Sequence, residues 1–287
     1  MYTAAMAPRL TRSERLGQRL DALVASHDAA ARRETDPVGL VHRAPRAEQE
    51  VVGLVAALIA FGNVVAIRAS VKRALAALGP RPTEIVDAAS RDELTARLDG
   101  FVHRVYRGEH LATLLANAGR VRREEGSLGA SFARRLEARG DFREALAELA
   151  DDLRGPDADR GLSHLVPDPR AGSACKRLLL YMRWMVRPAD GVDLGLWPVS
   201  PAHLVIPVDT HIHRIARNVR LTERKTASWK TAEEITAQLR RFDPEDPVKY
   251  DFALCHLGVS RQCPSKRDPV KCGACVLREV CRHQRRR

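Results

Sequence analysis

Four cysteines fall within the last 25 residues of the chain, Cys263, Cys272, Cys275 and Cys281, in the spacing C-x8-C-x2-C-x5-C. Cysteines used only for packing scatter along a sequence, whereas metal ligands converge on one point. Two cysteines separated by two residues can bind one centre. The flanking pair completes the set of four that zinc or an iron–sulfur cluster requires. Disulfide pairing is the competing use, and it fits poorly with a chain that shows no export signal. A segment of this kind folds around its ligand, so the core has to come from the residues before it.

Those residues suffice: 287 in all are enough for one large domain or two modest ones. Aromatic residues make up only 5% of the chain, so its core is built mainly of Ala, Leu and Val, which favours helices. Met1 to Leu20 has basic residues but no continuous apolar stretch of the signal-peptide kind. The longest uninterrupted apolar or glycine run, Val51 to Gly62, is too short to span a bilayer. The expectation is a soluble cytoplasmic monomer with reduced thiols and no membrane partner. The net charge of +12, from 48 Lys and Arg against 36 Asp and Glu, points to a polyanionic partner, nucleic acid foremost. Only seven of those 48 cations are lysine. A lysine inside an apolar helical segment therefore stands out.

The apolar spacing predicts helix after helix and no strand, an all-α fold. Thr11 to Arg33 reads as one amphipathic helix opened by a Thr11–Glu14 capping box and broken by Asp36-Pro37. Ala47 to Phe61 is apolar on most sides and reads as a buried central helix. Helical spacing continues over 64–78, 109–124, 128–138 and 142–153, and the Gly-, Pro- and Asp-rich stretch 154–171 reads as a connection. Further helices are expected over 173–186, 208–220 and 231–241, the last opened by a Thr231–Glu234 box. This gives an N-terminal helical extension over 1–35 and a two-lobed helical domain over 36–260, with the chemistry near the junction of the lobes. A cysteine loop with a basic tail follows over 261–287.

Two constellations carry possible chemistry. Asp209 follows the apolar run 204–208 and opens a helix, where it can cap free amides at the positive end of the helix dipole. The same carboxylate would suit an apolar cleft beside a developing positive charge. Lys176 shares a helix face with Leu179 and Leu180, so its stem lies against apolar surface. Such a lysine serves as an amine nucleophile, as a snorkelling side chain or as a phosphate contact. Arg177, Arg183 and Arg187 are candidates for phosphates or nearby carboxylates. Cys175 and Cys255 stand apart from the quartet and read as small buried hydrophobes.

The run Val208-Asp209-Thr210-His211-Ile212-x-Arg214, followed by four clustered cysteines, resembles the endonuclease III branch of the helix-hairpin-helix DNA glycosylases. The segment Ala57-Leu58-Ile59-Ala60-Phe61-Gly62-Asn63 resembles, more weakly, that family's early helix with a base-intruding polar residue at its end. Closer phrases, Lys176-Arg177-Leu178, Arg183 to Arg187, Asp193 to Trp197 and Asp246 to Phe252, are similar to an uncharacterised bacterial family related to these glycosylases. The resemblance covers residues 38–283 and is most specific after Ser173. It implies a catalytic role for Asp209 and a base-intruding wedge at Asn63. It also implies a 4Fe–4S cluster on Cys263, Cys272, Cys275 and Cys281, with zinc the alternative. DNA contacts are expected from Arg177, Arg183, Arg214, Lys266, Arg267 and Lys271. The chain departs from the glycosylase pattern in two places: its first cysteine gap is longer, and residues 189–195 lack the hairpin lysine.

The function implied is a base-excision glycosylase acting on double-stranded DNA with a damaged, oxidised base or an abasic site, in the cytoplasm at the nucleoid. Such an enzyme extrudes the base before attacking it. Without a lysine it would be monofunctional, with Asp209 activating water. With Lys176, 33 residues upstream of Asp209, as the amine, it would also be an abasic-site lyase. A non-catalytic DNA-binding protein with a degenerate glycosylase fold is the alternative from a different class, favoured by the altered hairpin.

Overall fold

A computed structural model of the chain describes residues 10–282. The first nine residues of the expected extension, and the basic tail at 283–287, lie outside the described residues. The fold is all-α, as expected. Sixteen α-helices make up most of the described residues, and the only strands among them form a two-residue hairpin, Val102–His103 with Tyr106–Arg107. No helix among these residues is long and apolar enough to cross a membrane.

The N-terminal stretch forms α1 (Arg12–Ala25), α2 (Ala29–Thr35) and α3 (Val38–His42). The capping box at α1 is present: the Thr11 hydroxyl accepts from the Glu14 amide at 3.2 Å, and the Thr11 amide donates to the Glu14 carboxylate at 2.7 Å. The single helix expected over 11–33 is two. Asp28 takes the N-cap of α2, its carboxylate accepting from the Ala31 amide, because a short carboxylate competes with helix-interior geometry and prefers the cap.

Next come α4 (Gln49–Leu58), α5 (Val64–Leu78), α6 (Pro82–Ala88) and α7 (Arg91–Arg97). The hairpin then leads into α8 (Gly108–Glu125), α9 (Leu128–Arg139), α10 (Phe142–Arg154) and the short α11 (Arg160–Leu165). These helices pack on one another through α8, which meets α6, α7, α9 and α10. On α4, Val51 to Leu58 are buried throughout, as the apolar run predicts. Gly53 faces α12 (Lys176–Val186), where a Cβ would meet the tip of the Met185 side chain. The second group consists of α13 (Thr210–Val219), α14 (Trp229–Arg240), α15 (Asp251–Val259) and the short α16 (Pro269–Gly273), with α13 and α1 on α15. One continuous buried core runs through both groups.

The Thr231–Glu234 box does not form. Helix α14 starts earlier, capped by Ser228, and the Thr231 hydroxyl donates instead to the Thr226 carbonyl at 2.7 Å. Helix α1 closes over the far end of the chain: Arg12 donates to the carbonyls of Val219 and Val280, and Arg19 pairs with Glu279 at 2.6 Å.

Candidate active-site cleft and cysteine loop

The loop between α12 and α13 leaves both helices opening onto one cleft of about 670 Å³. Lys176, at the first turn of α12, and Asp209, at the N-cap of α13, both line it, and so does Asn63 at the N-cap of α5. These three lie far apart in sequence and meet because α12 packs on α4, which ends just before Asn63, while α13 packs on α15.

Asp209 is held on both sides. Its Oδ1 accepts from the amides of His211 and Ile212, each at 2.8 Å, and its Oδ2 faces the Cys255 thiol at 3.9 Å. Burial and the adjacent Asp209 charge push the Cys255 thiol well above its ordinary pKa, so it is a donor to that oxygen. Cys255 is thus half-buried cleft wall rather than the buried hydrophobe expected. Cys175 does match that expectation, with burial raising its thiol to about 12. Lys176 is partly exposed and has no hydrogen bond or ion pair among the described residues. Asn63 is exposed at the rim, its side chain accepting from the Val65 amide at 2.9 Å.

Two of the arginines expected at phosphates are internal. Arg177 is 9% exposed and donates to the Leu58 and His164 carbonyls and the Tyr106 hydroxyl. With no carboxylate beside it, desolvation pulls its pKa down to about 10. Arg183 is 2% exposed and pairs with Asp193, at 3.0 Å, and with Asp251. Arg187 joins the same network through Asp193, Asp190 and Asp246. These pairings clamp the loop after α12, where the altered hairpin region lies, onto α12 and α15. Neither Arg177 nor Arg183 is placed to meet a phosphate, because both guanidiniums are buried and engaged within the protein. Arg214 is also diverted: its guanidinium donates to the Cys263 carbonyl at 2.7 Å and ties α13 to the cysteine loop.

On that loop Lys266, Arg267 and Lys271 are exposed. Cys263, Cys272, Cys275 and Cys281 line a single small cavity of about 30 Å³ together with Asn218, Arg267 and Arg278. Cys263 is within electrostatic reach of Cys275 and Cys281, and Cys275 within reach of Cys272 and Cys281. No three His, Cys, Asp or Glu side chains among the described residues are drawn closely enough round one point to hold a single metal ion. The donor set itself, four thiols with no carboxylate or imidazole among the cavity walls, fits a four-thiolate group.

Sequence reading missed the contribution of α15. Asp251, Cys255 and His256 all line the cleft. Their spacing of i, i+4 and i+5 places them on adjoining helix faces, a signal present in the sequence but hidden by the apolar residues between. His256 lies 3.6 Å from Asp36, which also lines the cleft.

No curated protein matches the chain. Its sequence does fit one family, over a span that takes in α3 to α15 and every cleft residue named above. With residues 36–260 matched, the chain belongs to a protein family of unknown function, DUF2400.

Proposed function

We propose that the protein is a DNA glycosylase of the helix-hairpin-helix type that excises a damaged, oxidised base from double-stranded DNA and cleaves the resulting abasic site through Lys176. The observation that carries this reading is the presence of Lys176, Asp209 and Asn63 in one cleft. An amine with no hydrogen bond or ion pair among the described residues faces the same space as a carboxylate fixed by helix amides, and a polar side chain stands at the rim.

The chemistry follows from those positions. The extruded nucleotide enters the cleft, and Asn63 fills the gap left in the stack. As the N-glycosidic bond breaks, the sugar gains positive charge, which Asp209 stabilises without moving. The departing base takes up a proton. The Lys176 amine bonds to C1′ and gives up its proton to the departing base, ring opening gives a Schiff base, and β-elimination then breaks the strand on the 3′ side. Lys266, Arg267 and Lys271, exposed on the cysteine loop, hold phosphates. Cys263, Cys272, Cys275 and Cys281 would hold a 4Fe–4S cluster that stabilises their loop. Four thiols lining one small cavity suit either a cluster or zinc, and the resemblance to the glycosylases favours the cluster.

Borohydride trapping tests the proposal, with duplexes carrying 8-oxoguanine, thymine glycol, uracil or an abasic site, beside Lys176→Ala and Asp209→Asn. A covalent adduct that disappears with Lys176→Ala is expected. Asn caps helices nearly as well as Asp, so Asp209→Asn should fold and bind DNA while base release falls by several orders of magnitude. Alkali-labile sites without an adduct would mean a monofunctional enzyme. Tight binding with silence on every substrate would leave only a DNA-binding role.

A further inference from the structure

Besides Lys176 and the buried Arg183, two arginines line the cleft: Arg32 on α2, and Arg261, the second residue past α15. Arg32 is half-buried and Arg261 exposed, and neither side chain has a hydrogen bond or ion pair among the described residues. Their neighbours are tied down. Arg183 pairs with Asp193 and Asp251, and Arg33, beside Arg32, meets Glu34 and the Gly191 carbonyl. A guanidinium without a carboxylate keeps its fork of N–H donors for an anion that presents oxygen atoms. Both arginines lie outside the matched span 36–260, so this feature belongs to the segments that flank it.

Packing brings the two to one cleft. Helix α2 lies on α15, and the His27 ring just before it sits edge-on to Phe252 of α15 at 5.5 Å between centroids. Past the end of α15, Arg261 takes a left-handed backbone, φ 57°, and its amide donates to the Gly258 carbonyl at 3.1 Å. Glycine adopts that conformation without steric cost. An arginine kept there has a use for its charge, of which the negative end of the α15 dipole is one part. Arg261 also lines a second hollow, of about 410 Å³, together with Lys271 of the cysteine loop. A basic track thus runs from Arg32 over Arg261 to Lys271. Within the cleft, Asp36 and Asp209 repel a phosphate. A polyanionic strand is therefore held at the mouth while an uncharged nucleoside enters.

We propose that Arg32 and Arg261 form a phosphate site at the mouth of the cleft, which holds the backbone beside the extruded nucleotide. This rests on the glycosylase reading and adds to it the course of the lesion-bearing strand, along α2 and the end of α15 towards Lys271. The N-terminal helices then contribute to DNA binding directly, as well as to the core.

The test is binding of the full chain to two duplexes of one sequence, one undamaged and one carrying a tetrahydrofuran abasic analogue, over a range of salt. Arg32→Gln removes the charge and keeps a good helix former in α2. Arg261→Gly removes it and accepts the left-handed turn, so its melting point should stay within about 3 °C of wild type. Each variant should bind the analogue duplex roughly tenfold or more weakly, with the slope of log affinity against log salt lowered by about 1. The undamaged duplex, with no nucleotide drawn into the cleft, should lose less. Arg91→Gln removes an exposed arginine of α7 that does not line the cleft, and this charge-matched control should bind as wild type does. Wild-type affinity and slope in both variants, equal losses on both duplexes, or the same loss in Arg91→Gln would overturn the phosphate site while the wild-type preference for the analogue duplex stands. A wild-type protein without that preference, and without an adduct on borohydride trapping, would instead overturn the glycosylase reading and the site with it.

Discussion

Removing Arg183 should cost more than removing Asp193, although the two are partners and the aspartate is the more deeply buried. The inner network holds two guanidiniums, Arg183 and Arg187, between Asp193, which is fully buried, and Asp251, which is 3% exposed. In Asp193→Ala each arginine keeps a carboxylate, Asp251 for Arg183 and Asp246 for Arg187. What is lost is a set of charge-assisted hydrogen bonds, about 1.5–3 kcal/mol. In Arg183→Met, Asp251 loses its only ion-pair partner among the described residues while staying buried. That leaves an uncompensated charge, at about 3–5 kcal/mol. For a chain of 287 residues those losses correspond to melting points lowered by roughly 2–5 °C and 5–8 °C respectively.

The pH dependence carries the second half of this prediction. Burial already pushes the Asp251 carboxyl above its ordinary value, against the pull of Arg183. Removing the guanidinium pushes it further up. A carboxyl whose folded pKa exceeds its unfolded one binds more protons in the folded state, so stability falls as pH rises between the two values. The Arg183→Met deficit should therefore shrink as pH is lowered toward about 4, near the unfolded carboxylate value. Calorimetry of both variants from acid to neutral pH measures it. If Asp193→Ala is the more damaging at neutral pH, or the Arg183→Met deficit grows on acidification, the reasoning is wrong.

Protein purified without oxygen is expected to be brown with about four irons per chain, and Cys275→Ser to lose that iron, both by metal analysis; a colourless protein with one zinc would refute the cluster. Gly119→Ala should destabilise by about 1–3 kcal/mol, since a Cβ there lands on the Val86 carbonyl oxygen, backbone that cannot swing away; an unchanged melting curve would contradict the packing of α8 on α6. Replacing Lys266, Arg267 and Lys271 with Ser should weaken duplex binding and lower the slope of log affinity against log salt by up to about 3, one per lost phosphate contact. An unaltered slope would move the DNA face elsewhere.

Helices with long apolar periodicity and a clear cap are where sequence and structure agree best. Over 64–154 the expected α5, α8, α9 and α10 match to within a residue or two, because Asn63, Ser127 and Asp141 each cap by a local hydrogen bond that the sequence displays. Short helices such as α6, α7 and α11 span two turns or less, too little for a period to show. Asp209 and Lys176 stand out in the sequence by motif and rarity, and both line the cleft. The fate of the arginines was not legible. Arg183 looks like any basic residue on a helix until Asp193 and Asp251, ten and 68 positions away, are folded against it. Cys255 was hidden for a similar reason, since only the packing of α13 on α15 brings it to Asp209.

The clasp of α1 over the far end of the chain has a consequence for biosynthesis. Arg12 and Arg19 fasten to Val219, Val280 and Glu279, and Leu16, Leu20 and Leu23 bury into the common core. Helix α1 thus waits for partners made 207 and 268 residues later, a delay of roughly 10–50 s at ordinary elongation rates. During that interval its apolar stripe is open to water, to chaperones or to a neighbouring nascent chain. Truncation before the cysteine loop would leave α1 its seat on α15 but remove the Val280 and Glu279 contacts that fasten it, so shortened chains should aggregate more readily even where the cleft itself is complete.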